Sequence, residues 1–129
     1  MKRIVCEFFG EKEMIFFNVA RLMQLEKALG GKITTLLSQP MGLSEVITAY
    51  EIGLSHEGKK KQRNQLWYAE KIDELFEEGV TFDELLLPVM KALIGSGIMG
   101  PKAYAIAFPD EVTEQEKAEL DAQEEAEKN

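Results

Sequence analysis

The sequence contains few of the residues from which catalytic and metal sites are usually built. Histidine and cysteine occur once each, as His56 and Cys6. A structural zinc ion needs four ligands drawn mainly from these two residue types, and a nucleophilic cysteine needs a base beside it. One isolated residue of each kind meets neither requirement. We therefore expect no enzyme activity, no metal and no cofactor.

Other features that are missing bear on where the protein works. A single cysteine cannot form an intramolecular disulfide, which favours a reducing compartment. No secretory signal pattern opens the chain. The longest mostly apolar run, residues 85–99, is interrupted by Lys91 and is too short to span a bilayer. The sequence predicts a soluble cytoplasmic protein with no membrane partner.

Negative charge is concentrated at one end of the chain. The formal net charge is −8, and residues 110–129 carry nine acidic side chains against two lysines. Almost all of the excess charge therefore belongs to the last twenty residues, and we expect a domain at residues 1–108 and an acidic, solvated tail at 109–129. The remaining length and the 45% hydrophobic content suffice for one core.

The domain begins with a pattern typical of a β-hairpin. Residues 3–9 and 13–17 are rich in β-branched and aromatic side chains, and Gly10 begins the turn between them. Ile4, Cys6 and Phe8 share one face of the first strand. A two-stranded hairpin is marginally stable, so we expect it to pack on helices or to find a third strand.

Four to five helices follow, and the predicted fold class is α+β and mainly helical. Asn18 and Thr81 suit N-caps, Gly30 suits a helix end, and Pro88 should kink or shorten its helix near Glu84. On the first helix, Val19, Leu22, Met23 and Leu29 form an apolar face, and Arg21, Gln24 and Lys27 lie opposite. The predicted helical segments are residues 18–30, 32–38, 43–54, 65–78 and 81–94.

Two segments after these helices have more than one interpretation. The glycines of residues 95–100 match a phosphate-binding pattern in letters, but the segment follows a helix, and Pro101 argues against a helix start. We interpret it as a flexible helix exit. Residues 103–108 alternate small and large side chains, which fits either a third strand or an exposed segment that adds to a partner.

Two further features suggest contacts with other molecules. Trp67 lies off its helix's apolar stripe, at the core edge or on a contact surface. Lys59, Lys60, Lys61 and Arg63 form a basic loop that could bind nucleic acid, but no aromatic residues interleave the charges, so a solvated loop is favoured. The candidate protein-binding residues are Trp67, Tyr104, Ile106 and Phe108.

The order of these features resembles a known family. The hairpin runs into a helix of the form F-x-x-x-x-L-x-x-L-E-K-x-L-G, and the next long helix ends in the sequence YEIGL at residues 50–54. Over residues 13–97 the chain resembles the tail assembly chaperones of long-tailed phages and prophages of Gram-positive hosts. The residues that match the first motif are Phe17, Leu22, Leu25, Glu26, Lys27, Leu29 and Gly30.

The resemblance implies a non-enzymatic role in the bacterial cytoplasm. Such chaperones coat the long, apolar tape measure protein and hold it soluble until tail tube subunits polymerise around it, so the expected partners are a tape measure protein and further copies of this chain along it. The length suits the short form of proteins that are often extended by a translational frameshift. The alternative is a small nucleic-acid-binding or regulatory module that uses the basic loop, residues 59–63.

Overall fold

A computed structural model describes residues 1–54 and 63–111, together with Ala122. It confirms a mainly helical α+β fold, in which a two-stranded antiparallel hairpin precedes the helices. A single 3-10 turn covers Pro109–Glu111. The other elements in chain order are β1 (Ile4–Val5), β2 (Met14–Ile15), α1 (Val19–Leu29), α2 (Ile33–Leu36), α3 (Leu43–Gly53), α4 (Gln65–Glu77), α5 (Phe82–Gly95) and α6 (Pro101–Ala107).

The hairpin is very short and is supported from two sides. Ile4 pairs with Ile15 and Val5 with Met14, and the Cys6 N–H donates to the Glu13 carbonyl at 2.9 Å. On the other side of β2, Ile15 forms a bridge with Leu54 just after α3. Helix α5 packs against both strands. The hairpin is therefore supported both by a third paired segment, at Leu54, and by a helix packed against it, α5. Either kind of support can stabilise a two-stranded hairpin that is marginal by itself.

The predicted helix boundaries are confirmed where local capping determines them. The Asn18 side chain accepts a hydrogen bond from the Arg21 N–H at 2.8 Å. Gly30 ends α1 in the left-handed conformation, with φ of 72°. The Thr81 hydroxyl accepts from the Glu84 N–H at 3.2 Å and begins α5. These contacts satisfy backbone groups that a helix end leaves unpaired.

The core joins the hairpin to α3, α4 and α5 through aromatic side chains. Tyr50 of α3 is fully buried, and its hydroxyl donates to the Leu85 carbonyl of α5 at 2.5 Å. The Phe9 ring lies edge-on to Tyr50 at 4.8 Å and to Tyr68 of α4 at 5.0 Å between ring centroids. One residue of the hairpin turn thus fixes the relative positions of two helices.

The structure corrects the interpretation of residues 103–108 as a third strand. Residues 103–107 belong to α6, which begins at Pro101, and Phe108 is the C-cap of that helix. Proline is favoured at the first helical position because its missing N–H has no partner there and its φ already fits a helix, so the argument that Pro101 prevents a helix start was wrong. The third partner of the hairpin is Leu54 instead.

Three further corrections concern the length of α5 and the two faces of α1. Helix α5 runs through Pro88 to Gly95 and is not shortened at Glu84. Arg21, expected on the polar side of α1, is half-buried and donates to the Gly53 carbonyl at 2.6 Å. Val19 and Met23, expected on the apolar face, are 72% and 52% exposed. Helix α1 buries a narrower face, centred on Leu22 and Leu25.

Gly53 allows the close approach of α3 to the hairpin, which generates a testable prediction. A Cβ atom at this position would lie 2.7 Å from Phe17 Cζ and 2.8 Å from Ile15 Cγ1, both in fully buried side chains. We expect Gly53→Ala to lower the free energy of unfolding by about 1–3 kcal/mol, because overpacking a core forces its neighbours to shift. Urea denaturation of the purified protein measures the change.

The matched control is Gly31→Ala. Its Cβ would meet the Leu36 side chain at 3.5 Å, an ordinary contact distance. We expect this control to change the unfolding free energy by less than about 0.5 kcal/mol. Equal effects of the two substitutions would show that the junction at Gly53 is not tightly packed.

Candidate partner-binding site

An open groove runs between the first strand and helix α5. Its volume is about 540 Å³, and it is lined by residues 5–8 on one side and by Glu84, Leu87 and Pro88 on the other. None of these lining residues belongs to β2. The groove therefore lies along the outer edge of β1, on the side away from its hairpin partner.

The groove is mainly apolar, and two of its apolar side chains are exposed. Val5 is 61% exposed and Leu87 is 53% exposed, whereas Cys6 is buried at its base. Glu7 and Glu84 add exposed carboxylates to its lining. Exposed apolar side chains gathered around a concave surface are typical of interaction sites.

The backbone along the groove has unused hydrogen-bonding capacity. In an antiparallel pair, residues whose backbone bonds the partner alternate with residues whose backbone points away from it. Because Cys6 bonds to Glu13, Val5 directs its N–H and C=O away from β2, and neither bonds to any residue that the structure describes. In addition, Pro88 has no N–H to donate to the Glu84 carbonyl one turn earlier.

Two of the four predicted partner-binding residues hold α6 against the start of the chain. The rings of Tyr104 and Phe108 lie 4.9 Å apart, and the Lys2 ammonium lies 5.6 Å from the Phe108 ring centroid. Lys2 also forms an ion pair with Glu111, and the Tyr104 hydroxyl donates to the same carboxylate at 2.7 Å. Ile106 lies on the same helix and is 72% exposed.

Trp67 lies in a different part of the structure. It is half-buried against the core, edge-on to Tyr68 at 5.0 Å between ring centroids. The Arg63 guanidinium lies 4.5 Å from its ring centroid. The structure thus brings Tyr104 and Phe108 together, leaves Ile106 exposed beside them and places Trp67 at the core edge. Their role in binding a partner stays a prediction.

Arg63 is the only member of the basic loop among the described residues, and it does not face solvent. Its guanidinium donates to the Glu13 carboxylate at 2.5 and 2.9 Å and to the Phe9 carbonyl at 3.1 Å. The Arg63 and Glu13 side chains are 5% and 9% exposed. Burial lowers the pKa of Arg63, but Glu13 and Tyr68 outweigh burial and the pKa is raised. Lys59, Lys60, Lys61 and His56 lie outside the described residues.

Within residues 1–54 and 63–111, no group of three or more histidine, cysteine, aspartate or glutamate side chains could hold a metal ion. No helix in these ranges is long and apolar enough to cross a membrane.

Comparisons with protein-family models, with curated protein sequences and with solved structures find no match to this chain.

Sequence reasoning missed the groove, although one signal was present. Leu85, Leu86 and Leu87 are consecutive, and three neighbouring residues of a helix cannot all face the same core. Leu85 is fully buried and Leu86 is half-buried, which leaves Leu87 outside. No pattern in the sequence indicates that β1 is an edge strand. Its position at the edge depends on a tertiary contact, in which Leu54 pairs with the other side of β2.

The buried ion pair between Arg63 and Glu13 generates a second prediction. Glu13→Gln would leave the Arg63 charge buried without its counter-ion, and we expect a loss of about 3 kcal/mol in unfolding free energy. The control is Glu74→Gln, because Glu74 is 63% exposed and lies 3.4 Å from Lys71 in an exposed pair. We expect this control to cost less than about 0.5 kcal/mol. A small loss with Glu13→Gln would show that water reaches Arg63.

A third prediction concerns the thiol at the base of the groove. Burial raises the pKa of Cys6 above its ordinary value. A smaller fraction of Cys6 is therefore thiolate at pH 8 in the native protein than in the unfolded chain, and the sulfur is also covered. We expect Ellman's reagent to label native Cys6 at least about tenfold more slowly than the urea-unfolded chain at the same pH. Equal rates would mean that the thiol is accessible.

Proposed function

We propose that this chain is a non-enzymatic tail assembly chaperone. In this proposal, the groove between β1 and α5 holds an apolar segment of a tape measure protein. Tail tube subunits later displace the chain as they polymerise around that partner. The observation that carries the proposal is the groove itself, in which Val5 and Leu87 expose apolar surface beside unpaired backbone groups.

The dimensions of the groove suit a chaperone that must release its partner. A volume of about 540 Å³ accommodates a few side chains. Each copy would therefore cover only a short segment, and a long partner would carry many copies. Weak contacts repeated along one partner can hold it soluble and still exchange one at a time, because each contact contributes only a small part of the binding free energy.

The distribution of charge supports the same function. Residues 110–129 carry nine acidic side chains and two lysines, and many copies on one partner would present this charge repeatedly. Repulsion between such tails would keep coated partners from associating with each other. The burial of Arg63 against Glu13 removes one of the four positive charges on which the nucleic-acid alternative relies.

Coexpression with the tape measure protein of the same phage or prophage tests the proposal. We expect the tagged wild-type chain to keep that protein in the soluble fraction and to co-purify with it in several-fold molar excess. We expect Leu87→Asp to reduce the co-purified amount by about tenfold or more. Burying a leucine side chain contributes about 1.5–3 kcal/mol, and about 1.4 kcal/mol corresponds to tenfold in affinity.

The matched control is Leu66→Asp. Leu66 is 65% exposed on α4 and does not line the groove. We expect this variant to capture the tape measure protein as the wild type does, and both variants to keep the wild-type melting temperature.

Ile106→Asp tests the predicted contribution of α6 in the same assay. Insoluble tape measure protein beside the wild-type chain would contradict the function, and equal capture by the Leu87 and Leu66 variants would contradict the groove.

A further inference from the structure

The outer edge of β1 has a sequence that is complementary to itself. Residues 3–7 read RIVCE. If two copies of this segment run antiparallel with Val5 opposite Val5, then Arg3 of each copy lies opposite Glu7 of the other. Opposite charges at facing positions of an antiparallel pair stabilise the pair, and like charges destabilise it.

The backbone of this segment is arranged for such pairing. Cys6 bonds to Glu13 across the hairpin, so the backbone groups of the odd-numbered residues point to the outer edge. Val5 directs its N–H and C=O there, and Arg3 and Glu7 are two positions away on either side. In the proposed register these three residues occupy hydrogen-bonding positions, and Val5 exchanges both of its bonds with Val5 of the other copy.

The side chains of the three residues meet on the exposed face of the strand. Successive side chains of a strand alternate between faces, so Arg3, Val5 and Glu7 share the face opposite to Cys6. All three are exposed, whereas Cys6 is buried. In the dimer the two valines would therefore contact each other on the solvent side, between the two charge pairs.

The two charges have no ionic partner within the described structure. The Arg3 guanidinium lies 4.5 Å from the Phe16 ring centroid, a stacked position that leaves its in-plane N–H groups available. Neither Arg3 nor Glu7 forms an ion pair with another described residue. Four residues of strand separate them by about 13 Å, which is too far for a pair within one copy.

We propose that two copies of this chain join their β1 strands antiparallel across a two-fold axis at Val5. The product is a four-stranded sheet in the order β2-β1-β1-β2, with one Arg3–Glu7 ion pair on each side of the axis. Each β1 would then lie along the strand side of the other copy's groove, because the groove follows the outer edge of β1. Dimerisation does not require the proposed function, but a second copy and a tape measure segment would compete for Val5 and its outward backbone groups.

The size of the contact indicates a reversible dimer. Five residues of each strand make a small interface, and interfaces of this class give weak association. We expect a dissociation constant on the order of 10 μM for the full chain. Sedimentation velocity between about 1 and 200 μM, a range that brackets this value, should show the conversion of monomer to dimer.

Charge reversal tests the register. Arg3→Glu places a carboxylate opposite Glu7, and Glu7→Arg places a guanidinium opposite Arg3. A homodimer of either variant would therefore contain two pairs of like charges. We expect each to weaken dimerisation by about tenfold or more. When the two variants are mixed, every facing pair is again of opposite sign, and we expect a heterodimer of wild-type affinity. The double variant Arg3→Glu/Glu7→Arg should also dimerise as the wild type does.

Controls separate this register from a general charge effect or a folding defect. Glu11→Arg reverses an exposed charge in the hairpin turn, outside β1, and should leave dimerisation unchanged. Val5→Pro removes the outward N–H without breaking a bond to β2, and should weaken the dimer. Circular dichroism melts confirm that each variant is folded. A wild type that stays monomeric at about 200 μM, well above the expected dissociation constant, or single variants that do not recover on mixing, would overturn the proposal.

Discussion

The close contact between the end of α3 and the hairpin is the constraint on which the rest of the structure depends. The Gly53 carbonyl accepts hydrogen bonds from the Phe16 N–H at 3.0 Å and from the Arg21 guanidinium at 2.6 Å. One carbonyl oxygen of α3 therefore holds both α1 and the residue that follows β2. Because a side chain at position 53 would collide with the hairpin, the glycine lets the helix come near enough to supply the bridge at Leu54. A hairpin with two paired residues per strand needs this support to be stable.

The same contact determines which strand is left open. Leu54 occupies the far side of β2, so β1 becomes the edge, and its outward backbone groups border the groove next to α5. Natural sheets often protect such an edge with lysine, proline or an inward-pointing charge. Residues 3–7 contain an arginine and a glutamate at matching distances from Val5 instead. With this spacing, the antiparallel register that places Val5 opposite Val5 brings opposite charges together at both ends. Other antiparallel registers do not place Arg3 opposite Glu7.

Features that depend on neighbouring residues could be predicted from the sequence, and features that depend on distant contacts could not. The caps at Asn18, Gly30 and Thr81 were predicted correctly because each acts within one helical turn. The inward turn of Arg21 depends on a carbonyl 32 positions away. Residues 103–108 were misassigned because alternating alanines and large residues suit a strand or a helix, and Pro101 was judged as a barrier although it begins α6. The groove depends on the edge of β1, which only the tertiary structure defines.

The contacts of Lys2 with Phe108 and Glu111 bring the two ends of the described fold together. Residues 2 and 111 are therefore neighbours in space, although more than a hundred residues separate them along the chain. A linker between residues 2 and 111 would have to span about the combined length of one lysine and one glutamate side chain, and chain ends that lie this close favour circular permutation. New ends could then be placed at Gly79, an exposed residue between α4 and α5 that is away from the junction at Gly53. The order of elements along the chain is thus one of several that could produce the same packing.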